Sequence, residues 1–267
     1  MLKTFYRTSI AVAFSTMLPV AALAAPITIT YQGGSVGDSI TNFQDELDKL
    51  EAFALTEDFE GFGVGQVAAQ NGGYGYDLNT RTLSTKVGTF ESKGGEGGGS
   101  IAEPEKDVSR IEDTDNGGRE NTSSETFTSE GIASGTHEKY LESNDVPEMA
   151  WTASDVDGGR HFDRLLFTLT DAADNNATLT VTDDNGNEKS VNGLGNNNIL
   201  TFLVSFADLQ SSATVTISNS GSNVSNDGWG VDSATVGAVP LPAAAWLLLG
   251  VSGALVAAKR RSARRAA

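Results

Sequence analysis

Apolar and polar residues alternate in short runs along the second half of the chain, which is the pattern of strands with one buried face. By this pattern we predict strands at residues 162–170, 177–182, 188–191, 199–206, 213–218 and 230–236. Asn, Asp and Gly fill the gaps, and Asp183 to Asn187 predict a tight hairpin turn in preference to a metal-binding loop. Short strands at such close spacing predict a mainly β fold, an antiparallel β-sandwich of jelly-roll type.

The first half of the chain contains one helical pattern, from Ser39 to Leu55. Ser39 or Thr41 is the expected cap, and the helix is expected to cover a sheet edge or one open end of a barrel. One face of this helix is apolar: Ile40, Phe43, Leu47 and Leu50. Residues 27–31 and 82–90 are predicted as strands.

Two further stretches of the first half lack a strand or helix pattern. Residues 91–100 have Gly at half of their positions, which predicts a loop. Residues 103–130 are polar and charged, and we interpret them as a surface excursion outside the core.

The N-terminus has the three parts of a secretory signal peptide. Lys3 and Arg7 form a basic region, an apolar stretch follows at residues 10–23, and Ala22-Leu23-Ala24 is a small-x-small cleavage site. A membrane-spanning helix is the alternative, but this apolar stretch is short and contains Ser and Thr. We therefore predict a signal peptide at residues 1–24, removed by signal peptidase after Ala24.

The C-terminus, residues 239–267, has the pattern of a second targeting signal. An apolar run ends at Ala258 and, as a helix, spans about 24 Å, close to the hydrocarbon thickness of a bilayer. Five Lys and Arg residues follow, and the positive-inside bias places everything before the helix outside the cytoplasm. A short Pro-bearing motif precedes the run: Val239, Pro240, Leu241, Pro242 and Ala243.

These C-terminal residues closely resemble the VPLPA variety of the PEP-CTERM sorting signal, found on exported proteins of Gram-negative bacteria. The resemblance implies that an exosortase-type membrane enzyme recognises the signal, removes the helix and passes the protein to the cell surface or the extracellular space. Before that step, the resemblance implies an inner-membrane anchor with the domain on the periplasmic side. The signal covers about a tenth of the chain and carries no information about the function of residues 25–238, which we interpret as one exported domain.

Removing both ends makes the remaining chain strongly acidic. Residues 25–238 hold all 35 acidic residues and 11 of the 18 Lys and Arg residues, a net charge of −24. Nucleic acids and anionic membrane surfaces are repelled by such a chain, whereas divalent cations are attracted. Acidity also serves as a solubility device in secreted proteins. Cysteine is absent, which excludes disulfides, thiol catalysis and cysteine zinc sites.

A second resemblance concerns the exported domain. Asp58-Phe59-Glu60-Gly61, together with the segment from Asp227 to Asp232, resembles the opening and closing strands of galactose-binding-like jelly rolls, a scaffold of many carbohydrate-binding modules. The resemblance implies that these strands are neighbours and that Glu60 and Asp232 help to bind a structural calcium ion. Asp58 or Asp227 would then complete the shell of oxygen ligands. The alternative is a pair of solvated acids at strand ends.

Such modules bind sugars through flat aromatic side chains that are surrounded by polar groups. Tyr74 and Tyr76 are flanked by glycines and are the rings that we expect to be exposed and to bind a glycan. Trp151 is expected in the core, and Trp229 is expected to pack at the rim of the sandwich.

Catalytic patterns are sparse. The two histidines are His137 and His161, and His161 lies too close to Asp163 along the chain for an obvious triad order. A Gly-x-Ser-x-Gly elbow is absent. We therefore predict a non-catalytic surface or matrix protein, carbohydrate-binding or adhesive and stabilised by calcium, with a glycosidase-like secreted hydrolase using acidic residues as the alternative.

Overall fold

The computed structural model describes eleven stretches of the chain: residues 27–34, 36–50, 53–62, 76–77, 81–93, 109–113, 139–143, 146–170, 177–194, 199–218 and 229–239. The predicted signal peptide and the C-terminal apolar run lie outside these described residues. None of the helical residues that are described forms a segment of the length and apolarity needed to span a bilayer.

Strands dominate the described part of the chain, which contains a single helix. In chain order the elements are β1 (Thr28–Gly34), α1 (Val36–Leu47), β2 (Phe53–Glu57), β3 (Tyr76–Asp77), β4 (Thr82–Thr85), β5 (Gly88–Lys93), β6 (Arg110–Asp113), β7 (Lys139–Glu142), β8 (Glu148–Ala153), β9 (Phe162–Thr170), β10 (Thr178–Thr182), β11 (Glu188–Asn192), β12 (Ile199–Gln210), β13 (Ala213–Ser218) and β14 (Gly230–Ala238). This confirms the prediction of a mainly β fold with one short helix.

The strands form two antiparallel sheets of seven strands each. In the first sheet the order is β1-β12-β9-β14-β7-β6, and β2 also pairs with β14. In the second sheet the order is β11-β10-β13-β8-β5-β4-β3. The apolar side chains of both sheets pack into one large buried cluster, as in a β-sandwich.

Aromatic rings from both sheets meet in this core. Trp151 of the second sheet stacks on Phe90 with ring centroids 5.5 Å apart, and its edge meets Phe167 of the first sheet at 5.8 Å. Phe167 in turn stacks on Phe202 at 5.2 Å. Such pairs add about 0.5–1.5 kcal/mol each to the stabilisation from burial. Trp151 is therefore a core residue, as predicted.

The helix differs from its prediction in length. It ends at Leu47, whereas the prediction continued to Leu55, and residues 53–57 instead form β2. The backbone of β2 pairs with β14, and this long-range pairing overrides the local helical spacing. Helix α1 packs on the outer face of the first sheet, where Phe43 joins Tyr140 in a small buried cluster. It contacts the edge strand β1 together with β12 and β9, so it covers one edge of the first sheet, as predicted, and extends over the neighbouring face.

Three other predictions need correction, and one of them is the loop predicted at residues 91–100, whose first three residues belong to β5. Residues 82–90 form a hairpin of β4 and β5, because Thr85 closes a turn by donating from Oγ1 to the Gly88 carbonyl oxygen at 2.8 Å. Residues 103–130 do contribute to the core: β6 pairs with β7, and Ile111 is fully buried. Among the predicted strands of the second half, 162–170 and 213–218 have the predicted bounds, and the hairpin turn after Thr182 is confirmed.

Candidate functional site

The candidate site lies where β2 meets β14. These strands pair antiparallel, with Glu57 opposite Ala234, so the two segments linked by the jelly-roll resemblance are neighbours. The turn after β2 carries Asp58 and Glu60, and β14 carries Asp232. We call Asp58, Glu60 and Asp232 the acidic corner.

Asp232 is the most deeply buried acid of this corner, with a relative exposure of 1%. Burial raises the pKa of its carboxyl well above the usual range, and the negative charges of Asp58 and Glu60 raise it further. The Ser233 backbone N–H donates to Oδ1 at 2.5 Å and opposes this shift, without overcoming it. Ser233 therefore compensates only part of the cost of burying the Asp232 carboxylate, and a proton or a cation would lower the remainder.

A β-bulge positions this carboxyl. The register between β14 and β9 shifts between Asp232 and Thr235, and Ser233 has a φ of 54°, a conformation that non-glycine residues rarely adopt. The Thr168 hydroxyl donates to the Asp232 carbonyl oxygen at 3.0 Å and holds the bulge to β9. Backbone strain of this kind is often found at binding sites.

The Ser233 hydroxyl is an orphaned polar group beside Asp232. The residue is 1% exposed, and its Oγ has no partner at hydrogen-bonding geometry within the described part of the chain. It nevertheless lies close enough to the Asp232 carboxyl to lower the pKa of that group slightly. A buried hydroxyl without a partner is costly, and an oxygen-binding cation would satisfy it.

The turn that carries Asp58 and Glu60 is fastened to β7. Glu60 accepts a hydrogen bond at Oε1 from the Lys139 backbone N–H at 2.8 Å. The Lys139 ammonium donates to the carbonyl oxygens of Glu60 and Phe62, at 3.2 and 2.9 Å. Phe59, fully buried with a φ of 58°, anchors the turn in the core. These contacts fix the turn that carries Glu60 against β7, and the charge of Glu60 is close enough to act on Asp232.

Sequence reasoning missed Glu57, which ends β2 and is 4% exposed. Burial raises the pKa of its carboxyl, and the positive charge of Lys86 partly opposes this. Its Oε1 accepts the Phe59 backbone N–H at 3.1 Å. Only its position directly before Asp58 could have suggested a role.

The corner is not an assembled metal site. Across the described ranges, no three His, Cys, Asp or Glu side chains are grouped closely enough to hold a metal ion. Asp58 and Glu60 lie within electrostatic reach of Asp232, so a bound cation would have to draw their side chains closer. Asp227, the fourth predicted ligand, lies outside the described residues.

The remaining predicted site residues lie mostly outside the described part of the chain. Tyr74 lies outside it. The backbone of Tyr76 begins β3, but the side chain of Tyr76 is not described. Val239 follows β14, and its N–H donates to Asp163 Oδ1 at 3.1 Å. The rest of the sorting motif is also outside: Pro240, Leu241, Pro242 and Ala243.

Trp229, expected at the rim, is fully buried in the main core cluster, and its Nε1 has no hydrogen-bond partner among the described residues. The aspartate-rich loop at Asp183 is a turn, because Asp183 Oδ1 accepts the N–H groups of Asn185 and Asn187 at 2.9 and 2.8 Å. Burial alone would raise the pKa of Asp183, but a hydrogen bond from the Asn187 side-chain amide at 2.8 Å and these backbone hydrogen bonds hold it below its usual value. Neither feature offers a ligand site.

Hydrolysis requires a cleft with tuned carboxylates. Two of the cavities among the described residues have volumes of only about 10 Å³, one between α1 and β1 and one apolar cavity between the sheets, and neither is lined by Glu57 or Asp232. His161 is exposed, while Asp163 binds Val239 and also pairs with Arg164 at 3.2 Å. Both carboxylate oxygens of Asp163 therefore have partners other than His161.

No family model, no curated protein and no solved structure matches this chain.

Proposed function

We propose that this chain is an exported, non-catalytic protein of the bacterial cell surface or extracellular matrix, whose β-sandwich is stabilised by calcium at the acidic corner. The burial of Asp232 beside Asp58 and Glu60 is the observation that carries the calcium proposal. A buried carboxylate without a counter-charge is strongly disfavoured. A cation at this point removes that cost and adds the stability of a bound ion.

The donor set fits calcium better than magnesium. Calcium takes six to eight oxygen ligands in irregular geometry, whereas magnesium demands a near-ideal octahedron. In the proposal, Asp232 and the orphaned Ser233 hydroxyl bind from the bulge, and Asp58 and Glu60 bind from the turn. Asp227 is the further carboxylate that we assign to the shell. The pairing of β2 with β14 supports the jelly-roll form of the sandwich, which places such ligands together.

Thermal unfolding of the purified full-length chain tests the calcium site. Calcium should raise the unfolding midpoint relative to chelator, since an ion that binds only the native state stabilises by about 2.7 kcal/mol at 100 times its dissociation constant. Magnesium should give a smaller shift. Asp208→Asn, which alters an exposed aspartate of β12, should keep the full calcium shift.

Asp232→Asn gives the decisive comparison, because the two models predict opposite signs. If calcium binds, this variant loses the calcium shift and unfolds earlier than the parent chain in calcium. If no cation binds, the variant removes a buried charge and unfolds later than the parent chain at neutral pH, with calcium and with chelator alike. The second result, without a calcium shift in the parent, would overturn the calcium site.

Export and anchoring form the second part of the proposal. The resemblance of residues 239–267 to a PEP-CTERM signal supports processing by signal peptidase and an exosortase-type enzyme, with a transient inner-membrane anchor between the two steps. In a host that carries such an enzyme, mass spectrometry should find a mature N-terminus at Ala25 and a C-terminus near the motif. Replacing Pro240 and Pro242 by Ala should leave the protein in the membrane fraction. Equal release of both forms would contradict this assignment.

Carbohydrate binding or adhesion is the activity that we assign to the exported domain, with Tyr74 and Tyr76 as candidate stacking rings. The net charge of −24 over residues 25–238 supports a neutral partner and disfavours nucleic acid. Tyr74→Ala combined with Tyr76→Ala should weaken binding to the preferred glycan on a glycan array. Unchanged binding would exclude these rings.

A further inference from the structure

The outer face of the second sheet carries hydroxyl side chains in register across neighbouring strands. The residues between them along each strand face inward and are buried, which fixes the hydroxyls outward. The pairing register places five hydroxyls side by side on β10, β13, β8, β5 and β4. We call these five residues the hydroxyl row: Thr182, Thr214, Thr152, Thr89 and Ser84.

A second, shorter row runs parallel to the first. Ser190, Thr180 and Thr216 are paired in register on β11, β10 and β13. Neighbouring strands are about 4.8 Å apart, and residues two positions apart along a strand are separated by about 6.7 Å. The face therefore presents hydroxyls on a regular two-dimensional grid.

These hydroxyls have few conformations and few protein partners. Threonine is β-branched, which restricts its χ1 angle on a strand. Thr180 and Ser190 share a hydrogen bond of 2.9 Å at the edge of the grid. Within the described stretches, the hydroxyls of Thr214, Thr152 and Thr89 bond to no protein group. They are ordered by the backbone and remain free for a ligand.

The hydroxyl row itself is uncharged, but Glu188, the register partner of Thr182, continues it on β11 and accepts a hydrogen bond from the Thr182 hydroxyl at 3.4 Å. Glu148, Glu91 and Lys93 lie on the same face beside the row, so the charges around it are mainly negative. An anionic polymer would be repelled by the acidic domain around the row, whereas a neutral polyhydroxylated polymer would meet groups that both donate and accept hydrogen bonds.

Because the sheet is twisted, its outer face fits a single polymer chain better than it fits a flat crystalline surface. Strands rotate by about 20–25° relative to their neighbours, so a row across five strands turns through roughly 80–100°. A rigid flat lattice cannot follow this rotation, whereas one flexible chain can. A second copy of this protein is disfavoured, because two domains of charge −24 repel each other.

We propose that the hydroxyl row is the docking surface for a single chain of a neutral polysaccharide, which lies across the strands of the second sheet. The proposal rests on the carbohydrate-binding part of the proposed function and assigns it a surface and a ligand class. It does not depend on the calcium site.

Affinity electrophoresis of the full-length chain tests this surface. Native gels containing hydroxyethyl cellulose, galactomannan or dextran are compared with plain gels and with gels containing alginate, an anionic polymer. We expect retardation by at least one neutral polymer and none by alginate. Retardation by alginate alone, or by none of the four polymers, would overturn the proposal.

Removing two hydroxyls from the row locates the binding. Thr152→Val with Thr214→Val keeps side-chain shape and strand propensity, so the fold should survive, as thermal unfolding will check. Binding should weaken about tenfold, which corresponds to about 1.4 kcal/mol, the usual worth of one or two hydrogen bonds. Thr30→Val, at an exposed position of β1 in the other sheet, is the matched control and should bind normally.

The outcomes separate this inference from the proposed function. Equal binding by the double variant and the parent chain would exclude the row and leave glycan binding elsewhere, for example at Tyr74. Loss of binding only in Tyr74→Ala would do the same. A calcium shift without any polysaccharide retardation would retain the calcium site and remove the row. Concentration-dependent association abolished by the double variant would instead identify an interface between copies and contradict the proposal.

Discussion

Lys139 donates hydrogen bonds to Glu60 from both its backbone N–H and its side-chain ammonium. The backbone N–H of Lys139 donates to Glu60 Oε1 at 2.8 Å, and its ammonium donates to the Glu60 carbonyl oxygen at 3.2 Å. Because the ammonium also reaches the Phe62 carbonyl oxygen, it holds the whole turn after β2 against β7. The geometry of the acidic corner therefore depends on a residue that is not itself acidic.

Lys139→Met tests this fastening. The change keeps the length of the side chain but removes two charge-assisted hydrogen bonds, which contribute about 1.5–3 kcal/mol each at most. We expect the free energy of unfolding in urea with chelator to fall by about 1–3 kcal/mol. Lys49→Met is the matched control, because its pair with Glu46 is a surface contact. Equal losses in the two variants would show that the turn does not depend on Lys139.

The two buried acids predict an unusual pH dependence in the presence of chelator. Burial raises the pKa of Asp232 and of Glu57 above their ordinary values of 3.8 and 4.5. In the window between these ordinary values and the raised ones, the folded state binds more protons than the unfolded state, so stability falls as pH rises. The stability is fully present below the ordinary values. Calcium should reverse the trend, since it competes with protons for Asp232.

The measurement is the unfolding midpoint between about pH 4 and pH 8, with and without calcium. Asp232→Asn should flatten the chelator curve and, near pH 7, raise its midpoint by about 2–4 °C for each kcal/mol of relieved burial cost. Glu57→Gln should flatten it less, because the positive charge of Lys86 already offsets part of the cost. A parent curve that rises with pH in chelator would contradict the burial of both charges.

Strands were predictable where the local pattern and the tertiary pairing agree. In β13, Ala213, Val215 and Ile217 alternate with Thr and Ser, and both bounds follow from that alternation. For β2 the local spacing favoured a helix, and only the pairing with β14, far along the chain, decides for a strand. Single-sequence reasoning has no access to such a partner, and for the same reason it missed the short strands β6 and β7.

The residues of the acidic corner could be predicted from the sequence, but the burial of Asp232 could not. Glu60 and Asp232 were nominated from a resemblance between two strands, and the pairing of β2 with β14 brings their segments together. The burial of Asp232 depends on a bulge at Ser233 and on strands at both sides of β14. Neither the bulge nor the orphaned hydroxyl has a local signal, because a serine with positive φ looks like any other strand serine.

Asp155 fastens the loop between β8 and β9. Its side chain is 1% exposed, pairs with the Arg160 guanidinium at 2.5 Å and accepts the Gly158 N–H at 2.9 Å. Burial alone would raise the pKa of Asp155, but these hydrogen bonds outweigh burial and hold the pKa below its usual value. The Arg160 guanidinium also lies 4.2 Å from the centre of the Phe53 ring. One carboxylate thus connects this loop to β2.

Asp155→Asn should destabilise the fold by about 1–3 kcal/mol, because it weakens the ion pair and puts an amide against two donors. The stability that Asp155 contributes is present above its ordinary pKa of 3.8 and is lost as pH falls through its lowered pKa. The difference in unfolding free energy between parent and variant should therefore shrink below about pH 4. Asp157→Asn, at an exposed position of the same loop, should match the parent chain. A pH-independent difference would assign the loss to packing.

Gly88 permits the closest approach of β5 to β8. Its φ is 115°, and a Cβ atom added there would lie 2.0 Å from the Thr152 carbonyl oxygen, a backbone atom that cannot move aside. Gly88→Ala should therefore cost several kcal/mol, well above the 1–3 kcal/mol of an unfavourable φ alone. Gly159→Ala is the matched control, because its φ of 57° is also positive but its Cβ would enter open space. In urea unfolding, the free energy of unfolding of Gly159→Ala should be close to that of the parent chain, and that of Gly88→Ala should be much lower. Equal losses in the two variants would mean that the backbone at Thr152 moves to accommodate the added methyl group.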